Sequence, residues 1–214
     1  DIDSLANEAV SDSRFSVIVA VGGDGTINRV LSACYNDDGR LKDSGKKIAV
    51  IYTGTSPDFC KNYHIPLDVK QAIKAIKRGH TVNLRPAMVE YFDDIAKERK
   101  NSCFACCLNV GIGPLVASKA NSGFRRYLGD FLGTLFAVLS VLISWKPTDI
   151  QLELDGKNRE VTSLVNLFVG KNRYIASGIK INSKLTIDDT QFYMLAISDI
   201  GLTDVFKLLW RLYS

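Results

Sequence analysis

Residues 22–26 read Gly-Gly-Asp-Gly-Thr, a composition typical of a turn that binds phosphate. Glycine tolerates positive φ and lets the backbone approach a ligand closely. The successive N–H groups of such a turn point into one concavity that binds anions. A helix beginning near Thr26 or Ile27 would add its positively polarised N-terminal end. The pattern therefore predicts a phosphate site, and the alternative is a strand-to-helix turn that needs glycine for its shape alone.

Two aspartates near this turn are the candidate catalytic residues. The Asp24 carboxylate would repel phosphate unless a cation or an oriented ribose lay nearby, so the turn implies that Mg²⁺ accompanies the nucleotide. Asp58 ends a second turn of small residues at positions 53–58, Thr-Gly-Thr-Ser-Pro-Asp. Its carboxylate would bind Mg²⁺ or orient an acceptor hydroxyl beside the transferred phosphate. An alternative of equal weight is that the Asp58 side chain forms an Asx turn or caps a helix.

Both turns follow segments that the sequence predicts to be strands. Residues 15–21 and 47–52 are apolar and rich in β-branched side chains, which is typical of parallel strands buried on both faces. Helical spacing of apolar residues follows the first turn, and residues 69–78 form a helical pattern that Gly79 closes. This alternation of strand and helix predicts an α/β domain over residues 1–86.

The pattern changes after Arg85-Pro86, where we place a domain boundary. The dipeptide Asp155-Gly156 is a hairpin turn signal, and a helix is predicted over residues 122–144. The sequence therefore predicts a second domain over residues 87–214, which is mostly β with an inserted helix. Its strands are expected at residues 88–92, 103–110, 150–154, 164–169 and 191–197.

Composition narrows the class of protein. The chain of 214 residues has a formal net charge of +4, which suits a protein that handles phosphates or touches an anionic membrane. It has no basic stripe with interleaved aromatics, so we predict no nucleic acid partner. The apolar run at residues 131–145 is shorter than the roughly 20 residues that span a bilayer. The five cysteines form no regular framework and predict buried apolar positions in a reducing, cytoplasmic compartment.

The motifs together resemble one known family. Residues 19–28, Val-Ala-Val-Gly-Gly-Asp-Gly-Thr-Ile-Asn, are similar to the signature of the diacylglycerol kinase catalytic-domain superfamily, which includes bacterial lipid kinases, sphingosine kinases and ceramide kinase. NAD kinases and phosphofructokinases share its Gly-Gly-Asp-Gly core. Residues 54–59 resemble the lipid-kinase segment Gly-Thr-x-Asn-Asp-Phe and favour that branch. Residues 108–113 and 186–192 resemble two later family segments in the same order, so the resemblance covers essentially the whole chain.

The resemblance implies a two-domain fold with the nucleotide in a cleft. It also implies a divalent cation near Asp189 with the carbonyls of Thr186 and Gln191, a largely structural ion in bacterial members. From the residues alone, Asp188-Asp189 is better interpreted as a solvated turn. The residues implied to hold the ATP phosphates are Gly22, Gly23, Asp24, Gly25, Thr26, Ile27, Asn28 and Thr55.

The sequence departs from the family pattern at three positions. Pro57 stands where the family usually has Asn, Arg29 where many members have Glu, and Thr190 where Gly is usual. Members also begin with a further strand carrying Asn-Pro-x-x-Gly, and they continue to a Glu proposed as general base. We therefore expect a truncated chain, incomplete at both ends, with the base beyond Ser214.

A broad apolar face in the helix at residues 122–144 is the candidate acceptor region. One interpretation is a helix that contacts lipid, with Arg125 and Arg126 meeting anionic headgroups; the favoured alternative is a core helix packed on the β domain. The apolar face of this helix comprises Tyr127, Leu128, Phe131, Leu132, Leu135, Leu139, Leu142 and Ile143.

A second apolar stripe near the end of the chain comprises Val205, Leu208, Leu209 and Leu212.

The leading prediction is an ATP-dependent lipid kinase of lipid metabolism that moves the γ-phosphate to a lipid hydroxyl, most simply that of diacylglycerol. Such an enzyme would be cytoplasmic, would associate transiently with the membrane surface as a peripheral protein, and is compatible with a homodimer. The first alternative, supported by Pro57 and Arg29, is a non-catalytic ATP-binding regulatory domain. The second alternative, NAD kinase, predicts an Asn-Glu pair downstream of the first turn, which the sequence lacks.

Overall fold

The computed structural model describes residues 1–42, 45–119, 125–175, 179–186 and 189–201, together with residues 204 and 207. Side chains at residues 125–132, 134 and 135 lie outside that description. The chain forms two compact units. The first comprises Asp1–Cys107 and Gly170–Tyr193, and the second comprises Leu108–Val169 and Met194–Ser214. The first unit thus continues past Arg85-Pro86, and the functional division at residue 86 stays a prediction.

The first unit opens with the predicted alternation of helix and strand. Strands β1 and β2 are parallel, with Val17 opposite Lys47 and Gly22 opposite Tyr52. Because their carboxyl ends meet at one edge, the turns that follow them begin side by side. The elements are α1 (Ile2–Ser11), β1 (Val17–Gly22), α2 (Asp24–Ala33), β2 (Lys47–Tyr52), α3 (Asp58–Asn62) and α4 (Val69–Arg78).

Helix α4 confirms the predicted bounds at residues 69–78. The Asp68 side chain accepts a hydrogen bond from the Gln71 N–H and caps the helix start. Gly79 ends the helix in the left-handed region, at φ 71°. Local capping chemistry therefore fixes both ends of this helix.

Strand β1 differs from the prediction of burial on both faces. Ile18 and Ala20 lie in the core with Ala6 of α1, whereas the alternate residues Val19 and Val21 are 42% and 57% exposed. The reason is that residues of α1 and α2 pack against the face of β1 that carries Ile18 and Ala20. The strand is therefore half-buried in the part of the chain that the structure describes.

Helix α2 begins earlier than the predicted start at Thr26 or Ile27. Gly23 takes the N-cap position with extended backbone, φ −96° and ψ −172°. This conformation allows the Ile27 N–H to reach the Gly23 carbonyl at 3.1 Å. The first helical residue is therefore Asp24.

The predicted single strand at residues 103–110 is wrong, because β4 (Glu98–Phe104) and β5 (Cys107–Gly111) are separate. The Ala105 N–H donates to Asn28 Oδ1 at 3.3 Å, and the Cys106 carbonyl accepts from the Lys171 N–H at 2.8 Å. These backbone groups are therefore paired outside a strand ladder. Strand β4 instead pairs antiparallel with β3 (Ala87–Asp93).

The second unit is built mostly from a sheet in which β5, β7 (Lys157–Gly170) and β10 (Tyr193–Ser198) are neighbours, with β6 (Thr148–Leu154) pairing on β7. The Asp155-Gly156 hairpin prediction is confirmed, because both residues have positive φ, 50° and 74°. Helix α5 (Ile112–Lys119) was not predicted. The short strands β8 (Tyr174–Ile175) and β9 (Ile179–Lys180) belong to the first unit.

The long predicted helix is α6, Arg125–Ser144; residues 120–124 lie outside the described residues. Ala137 and Val141 in its C-terminal half are buried, and Val141 packs in a cluster with Ile112 and Val165. The lipid-contacting interpretation stays a prediction, since the side chains at residues 125–132, 134 and 135 of α6 lie outside the description. The residues of the second apolar stripe, Val205, Leu208, Leu209 and Leu212, also lie outside the description. No helix among the described residues combines the length and apolar character needed to cross a membrane.

Candidate nucleotide-binding site

The two small-residue turns lie against each other at the carboxyl ends of β1 and β2. Pairing continues one residue past β2, where the Thr53 N–H donates to the Gly22 carbonyl at 3.0 Å. A Cβ added to Gly54 would lie 2.6 Å from Gly23 Cα and 2.7 Å from the Tyr52 hydroxyl. Glycine at position 54 is therefore required for the close approach of the two turns.

The start of α2 has the properties of an anion site. The Ile27 N–H is the first with an intrahelical acceptor, and Gly23 provides no side-chain cap. Among the described residues, the N–H groups of Asp24, Gly25 and Thr26 have no acceptor. A Cβ added to Gly25 would meet no atom within 4 Å, so open space lies beside these donors. Unpaired donors at a helix N-terminus favour a negatively charged ligand.

The residues that flank these donors hold the turn in place. A Cβ added to Gly22 would lie 2.4 Å from Thr26 Oγ1, so the threonine hydroxyl stands directly over the strand end. Ile27 is fully buried in the core. Asn28 uses its side-chain oxygen to accept from the Ala105 N–H. The side chains of Ile27 and Asn28 thus anchor α2, and their implied contact with ATP stays a prediction.

The Asp24 carboxylate is turned toward α3. Its Oδ2 accepts from the Phe59 N–H at 3.4 Å and lies 3.9 Å from the Cys106 thiol. Its Oδ1 is buried with no hydrogen-bond partner in the described part of the chain. The pKa of Asp24 is raised to about 6, chiefly by burial and to a smaller extent by the Asp58 carboxylate. The hydrogen bond from Phe59 lowers it and offsets part of this rise. This carboxylate therefore connects the first turn to the second.

Asp58 is the first residue of α3 and is only 5% exposed. Its N–H donates to the Ser56 carbonyl at 2.9 Å, and Pro57 occupies the N-cap position. Thr55 is exposed in the turn before them. The structure thus separates the two predicted roles of this segment, because Thr55 faces solvent and Asp58 does not.

Sequence reasoning missed two polar side chains near the aspartates. Burial and the Asp24 carboxylate raise the pKa of the Cys106 thiol well above its usual range. Burial likewise raises the pKa of Tyr193, whose hydroxyl has no partner among the described residues. No local motif marks either residue, since Cys106 lies in an apolar run and Tyr193 in a strand. The Cys106 thiol contacts the Asp24 carboxylate, and the Asp58 carboxylate contributes to the raised pKa of both Cys106 and Tyr193.

The three groups implied to hold a divalent cation lie in one turn. The Thr186 N–H donates to Asp189 Oδ2 at 2.6 Å, and the Asp189 N–H donates to the Thr186 carbonyl at 3.3 Å. The Lys171 ammonium donates to the carbonyls of Asp189 and Gln191, at 2.6 and 3.1 Å. Since Gln191 O already binds a cationic group, the residues present do not fit a divalent ion here. The described residues contain no group of three or more His, Cys, Asp or Glu that could hold a metal elsewhere.

Comparison with known proteins finds similarity to diacylglycerol kinases. Residues 1–89 match the model of the diacylglycerol kinase catalytic domain. The diacylglycerol kinases of Staphylococcus aureus strains JH9 and Newman are each 26% identical to the chain over 202 residues. That alignment covers 94% of this chain and 59% of each relative, so the chain spans about three fifths of the length of these relatives.

Solved structures agree on the fold. The chain is similar to a diacylglycerol kinase crystal structure from Bacillus anthracis str. Sterne, with a TM-score of 0.65, 18% identity, and coverage of 99% of this chain and 63% of that one. A second structure, described as a putative diacylglycerol kinase from the same organism, gives a TM-score of 0.68 at 20% identity and coverage of 99% and 65%. The predicted α/β fold class is therefore confirmed. The predicted resemblance to the superfamily is supported by the match of residues 1–89 and by the curated relatives.

Proposed function

We propose that the chain, whose residues 1–89 match the diacylglycerol kinase catalytic domain, binds ATP at residues 22–26 and transfers the γ-phosphate to a lipid hydroxyl, that of diacylglycerol or a related lipid. One observation carries the proposal: the N–H groups of Asp24, Gly25 and Thr26 have no acceptor among the described residues, and the space beside Gly25 is open. These donors are complementary to phosphate oxygens. ATP enters as its Mg²⁺ complex, a substrate rather than a resident cofactor.

The proposed reaction requires little covalent chemistry from the protein. The lipid hydroxyl oxygen forms a bond to the γ-phosphorus while the bond to the β-phosphate bridging oxygen breaks, leaving ADP and a lipid phosphate. The hydroxyl proton leaves to a base. Positioned N–H donors offset charge on the transferred group, and they cost no reorganisation during the reaction.

Asp24 has a positioning role in this proposal. Its Oδ2 accepts from the Phe59 N–H, so it holds α3 and the second turn against the start of α2. Thr55, exposed in that second turn, supplies a further donor to the phosphates. Residues 1–86 would then carry the nucleotide and residues 87–214 the lipid.

A second candidate function is a nucleotide-binding domain without catalytic activity. The burial of Asp58, 5% exposed, favours it, because a carboxylate withdrawn from solvent is poorly placed to orient an acceptor hydroxyl. The Arg29 guanidinium lies 3.6 Å from an Asp1 oxygen and 3.7 Å from an Asp3 oxygen. It is thereby engaged with α1 and its cap.

The test is transfer of radiolabel from γ-labelled ATP to diacylglycerol in mixed micelles, with ATP binding measured in parallel. Asp24→Ala should lower transfer at least about 100-fold, because it releases α3 from the phosphate turn. Asp38→Ala, at an exposed aspartate paired with Arg40, is the matched control and should leave transfer unchanged. Bound ATP without transfer to any lipid would favour the second candidate, and absence of ATP binding would contradict both.

A further inference from the structure

Lys171 is a lysine with an unusual environment. It is 8% exposed, whereas lysine is rarely buried without a partner. Its backbone N–H donates to the Cys106 carbonyl at 2.8 Å, which fixes the residue just after β7. Its side chain then has a defined starting point from which to reach the turn at residues 186–191.

The ammonium group of Lys171 binds two carbonyl oxygens of that turn. Nζ lies 2.6 Å from the Asp189 carbonyl and 3.1 Å from the Gln191 carbonyl. Two carbonyl dipoles that converge on one point repel each other unless a cation lies between them. The ammonium supplies that charge and satisfies both acceptors.

A neighbouring cation acts on the same segment independently. The Arg173 guanidinium donates to the Leu185 carbonyl through Nε and Nη2, both at 3.3 Å. The Arg173 N–H in turn donates to Asn62 Oδ1 at 3.1 Å, at the end of α3. Two cationic side chains two residues apart in sequence therefore bind this segment: Arg173 binds the carbonyl of Leu185, and Lys171 binds those of Asp189 and Gln191.

The Asp189 carboxylate and the Thr186 carbonyl, among the described groups of the turn, also have partners within it. The Asp189 carboxylate accepts from the Thr186 N–H at 2.6 Å, so one of its oxygens is committed to the turn itself. A divalent ion bound to the Gln191 carbonyl would lie beside the ammonium and be repelled by it. The Lys171 ammonium therefore occupies the carbonyls of Asp189 and Gln191 and disfavours a divalent cation beside them.

We propose that the Lys171 ammonium is the fixed internal cation of the turn at residues 186–191 and takes the place of a divalent metal ion. The chain then needs no bound metal to order this turn. The proposal concerns the ion near Asp189 and is independent of the Mg²⁺ that accompanies ATP. It also stands apart from the proposed kinase activity.

The experiment measures thermal unfolding of the whole chain without nucleotide, in EDTA and in millimolar Mg²⁺ or Mn²⁺. For the natural sequence, the expected shift in Tm between these conditions is below about 1 °C. Lys171→Met removes the charge and keeps most of the side-chain volume. It should lower Tm in EDTA by several degrees, and Mg²⁺ or Mn²⁺ should restore at least half of the loss. Lys171→Arg, which keeps the charge, should behave more like the natural sequence.

Two further measurements make the outcome decisive. Asp189→Asn added to Lys171→Met should abolish the rescue by Mn²⁺, which a purely packing role for Lys171 would not explain. Mn²⁺ titration followed by electron paramagnetic resonance should give no saturable site on the natural chain. A saturable Mn²⁺ site that Asp189→Asn removes would overturn the proposal, and so would a Lys171→Met loss that no divalent ion repairs. If Lys171→Met fails to fold, the titration of the natural chain decides alone.

Discussion

The turns at residues 22–26 and 186–191 differ in how their polar groups are satisfied. At the first, the N–H groups of residues 24–26 have no acceptor among the described residues, and the space beside Gly25 is open. At the second, the carbonyls of Asp189 and Gln191 already bind the Lys171 ammonium. Unpaired N–H groups at a helix N-terminus that face open space are available to an anionic ligand. Groups paired within the chain are not.

The difference also distinguishes the two aspartates. Asp24 retains one buried oxygen without a described partner, and its pKa is raised to about 6. Asp189 instead accepts the Thr186 N–H at 2.6 Å. The first carboxylate is held in an unfavourable environment, which is frequent at functional sites, and the second stabilises its own turn.

The largest predicted effect follows from filling the open turn. Gly25→Leu should weaken ATP binding about 100-fold, which corresponds to roughly 2.7 kcal/mol, because the side chain would occupy the space beside the donors. The Tm should hold or rise slightly, since leucine favours a helix over glycine by up to about 1 kcal/mol. Isothermal titration calorimetry with ATP measures the affinity. Ala75→Leu, at an exposed position of α4, is the control and should change neither quantity appreciably.

A second effect comes from separating the two turns. Gly54→Ala would place its Cβ 2.6 Å from Gly23 Cα and 2.7 Å from the Tyr52 hydroxyl. Such overpacking costs about 1–3 kcal/mol, so the free energy of unfolding in urea should fall by that amount. Adding Tyr52→Phe removes the hydroxyl contact, although the ring Cζ stays 2.9 Å from the added Cβ, and should recover a small part of the loss. An unchanged unfolding midpoint would mean that the two turns are not in contact.

The smallest effect concerns the pH dependence of stability. The folded pKa of Asp24, about 6, lies above the unfolded value of 3.8, so the folded state binds this proton more tightly. The associated stability is present below about pH 4 and is lost as the pH rises through 6. Asp24→Asn should remove this dependence and stabilise the chain at pH 7.5 by about 1 kcal/mol, allowing for solvent screening of a partly exposed group.

Unfolding of Asp24→Asn and the natural chain across pH 4 to 8 measures this effect. Asp38→Asn, at a surface aspartate, is the matched control, and its profile should follow that of the natural chain. Parallel profiles for all three proteins would show that Asp24 titrates alike in the folded and unfolded states.

The sequence was sufficient where structure follows from local chemistry. Helix α4 has both predicted bounds because Asp68 caps its start and Gly79 adopts positive φ at its end. The Asp155-Gly156 hairpin likewise depends on two residues that tolerate positive φ. The turn between β1 and α2 was located for the same reason, because glycines between a strand and a helix are a local signal; that it binds phosphate stays a prediction.

Contacts between distant residues were beyond such reasoning. The break between β4 and β5 depends on Asn28 and Lys171, which pair with the backbone of Ala105 and Cys106 from other parts of the chain. Lys171 also decides the character of the turn at Asp189 from 18 residues away. No periodicity or motif encodes a tertiary contact of that kind.

The most direct test of the account is the effect of ATP on the backbone amide resonances of the ¹⁵N-labelled chain. The account predicts that the largest shifts occur at Asp24, Gly25 and Thr26, that inorganic triphosphate reproduces them, and that adenosine does not. Saturable ATP binding that leaves these three amides unmoved and shifts others would contradict the assignment of the phosphate site to the start of α2.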